Sequence, residues 1–195
     1  MAGLSKLGAV LWARTGNTEA AALIEFAVAL PLLVVLVVGI FDFGGAFNLK
    51  QELNNAAREG ANFGAGEPTN DLYNSGTPPT IDAVRYLVDS YLVASRLNDC
   101  GLGTMPAPGN QSAPMTWTYS ATGCTPNLIL KITRPCSTSS CPTITGAPNV
   151  YVPDTYVQIS YPYQWHFNNV IQLLVPGAQY SLSSITTDAT AANLN

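Results

Sequence analysis

Three features of the 195-residue sequence predict an α+β fold: a long N-terminal transmembrane and periplasmic helix, then a small extracytoplasmic domain with one further helix packed on a mostly antiparallel sheet. The first is an apolar run from Ala20 to Phe41, interrupted by Glu25 and Pro31. The second is helical spacing of small and apolar residues, which continues past that run and returns at residues 81–92. The third is a change of character after Cys100, where alternating strand patterns bounded by Pro and Gly take over.

At about 1.5 Å per residue the run from Ala20 to Phe41 is long enough to span a bilayer core. Lys6 and Arg14 precede it and Asp42 follows, which favours an N-terminus in the cytoplasm and the remainder outside. Gly44-Gly45-Ala46 keeps a cleavable signal peptide open as an alternative. Beyond Asp42, the residues Ala46, Leu49, Leu53, Ala56, Gly60 and Phe63 recur at spacings of three and four, so the helix is expected to continue, with Lys50, Gln51, Glu52, Arg58 and Glu59 on its wet side. It should fail between Gly64 and Pro68, after about 65 Å of helical rise. Two small-residue series, Ala56-x3-Gly60-x3-Gly64 and Ala57-x3-Ala61-x3-Ala65, fit either close approach of another subunit or packing on the chain's own domain.

A turn-rich connector over 70–79 leads to a second helix, with Thr80 as its cap and Asp82 in its first turn. Ile81, Val84, Leu87, Val88, Tyr91 and Leu92 form its apolar face, to an end near Leu97. Asp82, Arg85 and Asp89 are spaced to pair on the opposite, solvated face. Strands are expected over Met115–Tyr119, Leu128–Ile132, Thr155–Tyr161 and Tyr180–Thr187. The resulting division is a cytoplasmic leader at 1–19, the long helix at 20–66 and an outer domain at 67–195.

Composition excludes several functions. Apolar residues make up 47% and charged residues only 10%, and eight Lys and Arg against twelve Asp and Glu give a net charge of −4. With no basic stripe to neutralise phosphates, nucleic acid is not a partner. The one histidine, His166, leaves no multi-histidine metal chemistry. It could build a Ser-His-Asp triad only with Asp154 or Asp188, yet no Gly-x-Ser-x-Gly or Ser-x-x-Lys occurs, and phosphate-binding Gly-rich loops are absent as well. The expectation is a protein that is not an enzyme and needs no cofactor or metal. All four cysteines, Cys100, Cys124, Cys136 and Cys141, lie beyond the span, where an oxidising compartment favours disulfides. Of the three possible pairings, Cys100 with Cys124 and Cys136 with Cys141 close the short local loops.

Ala20-Ala-Ala-Leu-Ile-Glu-Phe-Ala-Val-Ala-Leu-Pro-Leu-Leu33, then Gly39-Ile-Phe-Asp-Phe-Gly44 and Leu53-Asn-Asn-Ala-Ala-Arg-Glu-Gly-Ala61, resemble a TadE-like pseudopilin. That family supplies minor pilins to the tight-adherence (Tad, or Flp) pilus, a branch of the type IV pilus and type II secretion machinery. The resemblance is dense over about the first 65 residues and is echoed at Val175-Pro-Gly177 and at 185–190. It implies a single-pass inner-membrane subunit that serves pilus assembly, surface adhesion and biofilm formation. Its partners would be a prepilin peptidase, other Tad pilins and pseudopilins, and the inner-membrane Tad assembly platform. Counting back from Glu25, the peptidase would cut between Ala20 and Ala21, where Ala20 stands in place of the family's usual Gly. Glu25 would pair with the new N-terminal ammonium of a neighbouring subunit, beside Phe26, and Pro31 would bend the helix on extraction. An ionisable group inside an apolar span is itself a functional candidate, although one this near the start of the span can also reach headgroups or water. The alternative is a signal-anchored binding module, with Tyr151, Tyr156, Tyr161, Tyr163 and Trp165 forming an adhesive or sugar-binding patch.

Overall fold

The structure is a computed structural model that describes residues 18–72, 76–108, 115–136, 153–165, 172, 177 and 183–193. Helix α1 (Thr18–Gly66) is followed by helix α2 (Pro79–Ala94), a 3₁₀ turn (Leu102–Thr104) and strands β1 (Thr116–Ala121), β2 (Leu128–Cys136), β3 (Asp154–Pro162) and β4 (Ser184–Ala192). The architecture is α+β, as the sequence pattern predicts. The chain divides into two units. The larger, Gly45–Trp165 with Ser181–Asn195, takes in the second part of α1, and the smaller holds α1 up to Gly44.

The four strands form an antiparallel meander in the order β1-β2-β3-β4. Period-two alternation turns one face inward. Tyr119, Leu130, Ile159 and Thr187 lie in one row across the sheet, and Trp117, Ile132, Val157 and Ala189 in the next. Trp117, Leu130, Ile132, Val157 and Ile159 are fully buried. Ile81, Val84, Val88 and Leu92 of α2 and Leu53, Ala56, Ala57 and Ala61 of α1 belong to the same core. β2 carries Pro135, which has no N–H to donate, and its register with β3 shifts between Thr133 and Cys136.

Several boundaries differ from the sequence expectation. The last strand runs over 184–192 rather than 180–187, because its nine pairs with β3 extend from Pro162↔Ser184 to Asp154↔Ala192. Pairing to a full-length neighbour overrides the weak strand preference of Asp188 and the alanines, while residues 180–182 lie outside the described residues. Thr80 is not the cap of α2. Pro78 holds that position, Pro79 presets the first turn, and the Thr80 N–H donates to Asp71 Oδ2 at 3.1 Å. α2 ends at Ala94, where the Ser95 N–H bonds to the Tyr91 carbonyl. On α1, Phe63 stays partly exposed, and Ala57, Ala61 and Ala65 take the inward face instead.

The largest departure concerns Arg85, expected on a solvated face and found almost fully buried. Its Nε donates to Asp82 Oδ1 at 2.8 Å, and its Nη1 donates to the carbonyls of Leu102 and Gly103 at 2.7 and 2.9 Å. Tyr119 Oη of β1 donates to the same Asp82 oxygen at 3.2 Å, and the guanidinium carbon sits 3.9 Å from the centroid of the Tyr86 ring. Burial works against the charge, but the Asp82 hydrogen bond, Tyr86 and the Asp82 charge outweigh it and hold the guanidinium pKa above its ordinary value. Burial also pushes the Tyr119 phenol up, with Asp82 adding to the effect. A charged side chain thus ties α2 to the 3₁₀ turn.

A second buried arginine, Arg134, donates from Nη2 to the Glu67 carbonyl at 2.7 Å, placing a cation just past the end of α1. Burial lowers its pKa, against the opposing charges of Asp71 and Glu67. Cys100 and Cys124 form a disulfide with Cα atoms 5.1 Å apart, joining the segment after α2 to the β1–β2 connection. Closing a 24-residue separation constrains the unfolded chain by about 3–4 kcal/mol. The side chains of Cys136 and Cys141 lie outside the described residues.

Candidate functional site: an exposed apolar half-helix

Along α1 the local sequence produces two opposite surfaces. From Ala21 to Phe41 nearly every side chain is exposed, including Leu23, Phe26, Leu32 and Phe41, the last at 76%. The most apolar window has a mean hydropathy of 2.8, and none of it is buried within the chain. Among the described residues this is one helix long and apolar enough to cross a membrane. Such a surface is stable only when lipid or protein covers it.

Glu25 lies in this stretch with its side chain exposed, one residue before exposed Phe26. Pro31 is inside the helix, and Ala20 and Ala21 lie in its opening residues. These positions fall together on one element. The structure brings no described cation to Glu25.

The second part of α1 is committed inward. A Cβ at Gly60 would stand 2.9 Å from Val88 Cγ2, and one at Gly64 would stand 2.8 Å from Thr155 Cγ2 and 3.2 Å from Val84 Cγ2. Ala56, Ala57, Ala61 and Ala65 are buried. Both small-residue series therefore serve close packing of α1 on this chain's own α2 and β3, not on a neighbouring subunit. The wet side is as expected for Lys50, Gln51, Arg58 and Glu59, whereas Glu52 receives weak hydrogen bonds from Tyr91 Oη and Ser95 Oγ at 3.4 and 3.3 Å.

Among the described residues, the aromatics considered as a ligand patch do not all share one surface. Tyr161 is buried and donates from Oη to the Asn98 carbonyl at 3.0 Å, and Tyr163 meets Trp165 edge-on with centroids 4.9 Å apart. Tyr156 Oη accepts from Gln158 Nε2, while Tyr151 and His166 lie outside the described residues. One open cleft was not foreseen from sequence. Within the larger unit, Phe47, Lys50, Gln51 and Asn54 of α1 and residues Thr186, Thr187 and Asp188 of β4 line a space of about 330 Å³. Only the pairing register of β4 brings the second group there, so sequence spacing carries no signal for it.

A half-helix this apolar and this exposed, followed by a small disulfide-containing α+β unit, fits the class of single-pass, membrane-anchored proteins with a folded domain beside the span. Residues 20–62 match the family model described as TadE-like protein, which bears out the resemblance carried by Ala20–Ala61. TadE-like proteins are pilus components, and this segment together with the apolar helix fits a Tad pilus-associated membrane protein. Neither the curated proteins nor the solved structures include a match to this chain.

Proposed function

We propose that the chain is a non-catalytic pseudopilin, a minor subunit for assembly of the Tad (Flp) pilus and hence for adhesion and biofilm formation. It is anchored in the inner membrane with residues 1–19 cytoplasmic, the apolar part of α1 crossing the bilayer, and the helical extension of α1 together with residues 67–195 outside. One observation carries the reading. The inward face of α1 beyond Gly45 is consumed by its own domain, while the earlier part of the TadE-like match, including Glu25, Phe26 and Pro31, is left exposed for lipid and neighbouring helices.

In this reading a prepilin peptidase cuts between Ala20 and Ala21, so that the new ammonium of one subunit meets Glu25 of another. In a low-dielectric helix bundle such a pair sets the stagger between subunits, because an unpaired charge there is costly. Pseudopilins of the same system and the assembly platform are the partners. The experiment is N-terminal sequencing and intact mass of the membrane protein, with and without the peptidase, beside pilus formation by Glu25→Ala. A peptidase-dependent start at Ala21 and loss of pili in the variant are expected. A retained Met1 together with normal pili in Glu25→Ala would refute the mechanism.

A further inference from the structure

The contacts of α1 with β3 fix which end of the sheet lies nearest the apolar run. A Cβ at Gly64 would stand 2.8 Å from Thr155 Cγ2, one at Gly60 3.7 Å from Val157 Cγ1, and one at Gly45 3.5 Å from Tyr163 Oη. β3 therefore runs antiparallel to the second part of α1. The lengths agree, since Gly45 to Gly64 is about 28 Å of helical rise and Thr155 to Tyr163 about 26 Å of strand. Gly45 follows Phe41, the end of the apolar run, by about 6 Å of helix and by at most about 14 Å of extended chain. An interfacial layer is about 5–8 Å deep on each side of the hydrocarbon core, so a span of Ala20 to Phe41 brings Gly45, and the Tyr163 hydroxyl beside it, to interfacial depth. Tyr163 and Trp165 are both partly exposed, with ring centroids 4.9 Å apart. The Tyr163 N–H donates to the Ser183 carbonyl at 2.9 Å, so β4 begins at the same end, and exposed Phe47 lies two residues beyond Gly45.

We propose that the corner formed by Tyr163 and Trp165, with Phe47 at the same depth, is a second membrane contact, in which these rings lie in the interfacial layer of the bilayer that α1 crosses. Tyr and Trp concentrate at that depth because an apolar ring and a polar O–H or N–H each find a suitable medium there. In sequence, residues 166–182 between Trp165 and Ser183 carry no Asp, Glu, Lys or Arg, so no formal charge there opposes the approach of lipid. One helix fixes depth alone, whereas a second point of contact also fixes how the sheet stands on the bilayer. The proposal rests on the membrane-anchored reading of α1.

The test uses the full chain in phosphatidylcholine vesicles, isolated by flotation, and reads tryptophan fluorescence. Besides Trp165 the chain has Trp12 and Trp117. Trp12→Phe removes the first, and Trp117 is fully buried in a row of the sheet with Val157, about 20 Å of strand from Tyr163. In Trp12→Phe, a quencher carried by the lipid near its headgroup should dim the emission more than one at the acyl-chain end, and aqueous iodide should have little effect. That lipid-dependent loss should vanish when Trp165→Phe is added, a change that keeps a ring against Tyr163, with unchanged circular dichroism verifying the fold. Quenching by iodide with no response to either lipid quencher would overturn the contact while leaving the anchor intact. Stronger quenching from the chain end would also overturn it, by placing Trp165 in the hydrocarbon core. Protection from every quencher, with chains cross-linked in pairs, would overturn it in favour of a second copy covering the corner. Failure to float would overturn the anchor and the contact together.

Discussion

Replacing Arg85 with Met tests whether a charge inside the core holds the corner between α2 and the 3₁₀ turn. Methionine keeps most of the side-chain length, so the cavity contribution is small. The hydrogen bonds are lost. The buried Leu102 carbonyl and the partly buried Gly103 carbonyl lose their donor, at about 1–3 kcal/mol for a fully buried group and less for the second. Asp82 also loses its cation, but its side chain is 29% exposed and still accepts from Tyr119, so its share is reduced by solvent. The sum is a destabilisation of about 3–4 kcal/mol, within the range for removing one partner of a buried pair. Urea unfolding of the full chain in mild detergent, followed by fluorescence of buried Trp117, should show a midpoint lower by about 1–2 M. Arg85→Lys should recover only part of the loss, because an ammonium lacks the planar fork that reaches Asp82 and two carbonyls at once. A loss below about 1 kcal/mol for Arg85→Met would refute the reasoning and return Arg85 to the solvated face that its spacing suggests.

Further outcomes follow from the same geometry. Burial raises the carboxyl pKa of Asp89, helped by the charge of Asp99 and a hydrogen bond between the two, against the Gly103 N–H and Arg85. A carboxyl raised in the folded state favours folding below its ordinary value of 3.8, and that contribution is lost as pH rises through the folded value. Asp89→Asn should therefore gain stability on wild type as pH increases above about 4, measured as the difference in unfolding midpoints between pH 4 and 7, and parallel curves would contradict it. Gly64→Ala should cost about 1–2 kcal/mol, as overpacking against Thr155 and Val84 exceeds the helix-propensity gain. Gly66→Ala, with nothing within 4 Å of a Cβ, should instead gain about 0.5 kcal/mol. Equal melting shifts in the two alanine variants would show that α1 is not seated on β3 as described.

What sequence alone determined is what periodicity and composition encode locally. The apolar run, the extension of α1 to the Gly-Ala-Gly-Glu-Pro stop, the apolar face of α2 and three of the strands were legible because each depends on residues close in the chain. So was the TadE-like segment, whose Glu25-Phe26 and Ala56-Ala57-Arg58-Glu59-Gly60 are contiguous motifs. Tertiary structure decided what lies opposite each face. Nothing in the spacing of Asp82, Arg85 and Asp89 distinguishes a solvated ladder from a buried guanidinium, since the carbonyls that hold Arg85 come from residues 102 and 103. The small-residue series fits a subunit interface and an internal contact equally well until Val88 and Thr155 are seen against Gly60 and Gly64. The end of β4 and the cleft beside Lys50 depend on register with β3, a long-range pairing whose energy resides in the partner strand rather than in the Thr- and Ala-rich residues themselves.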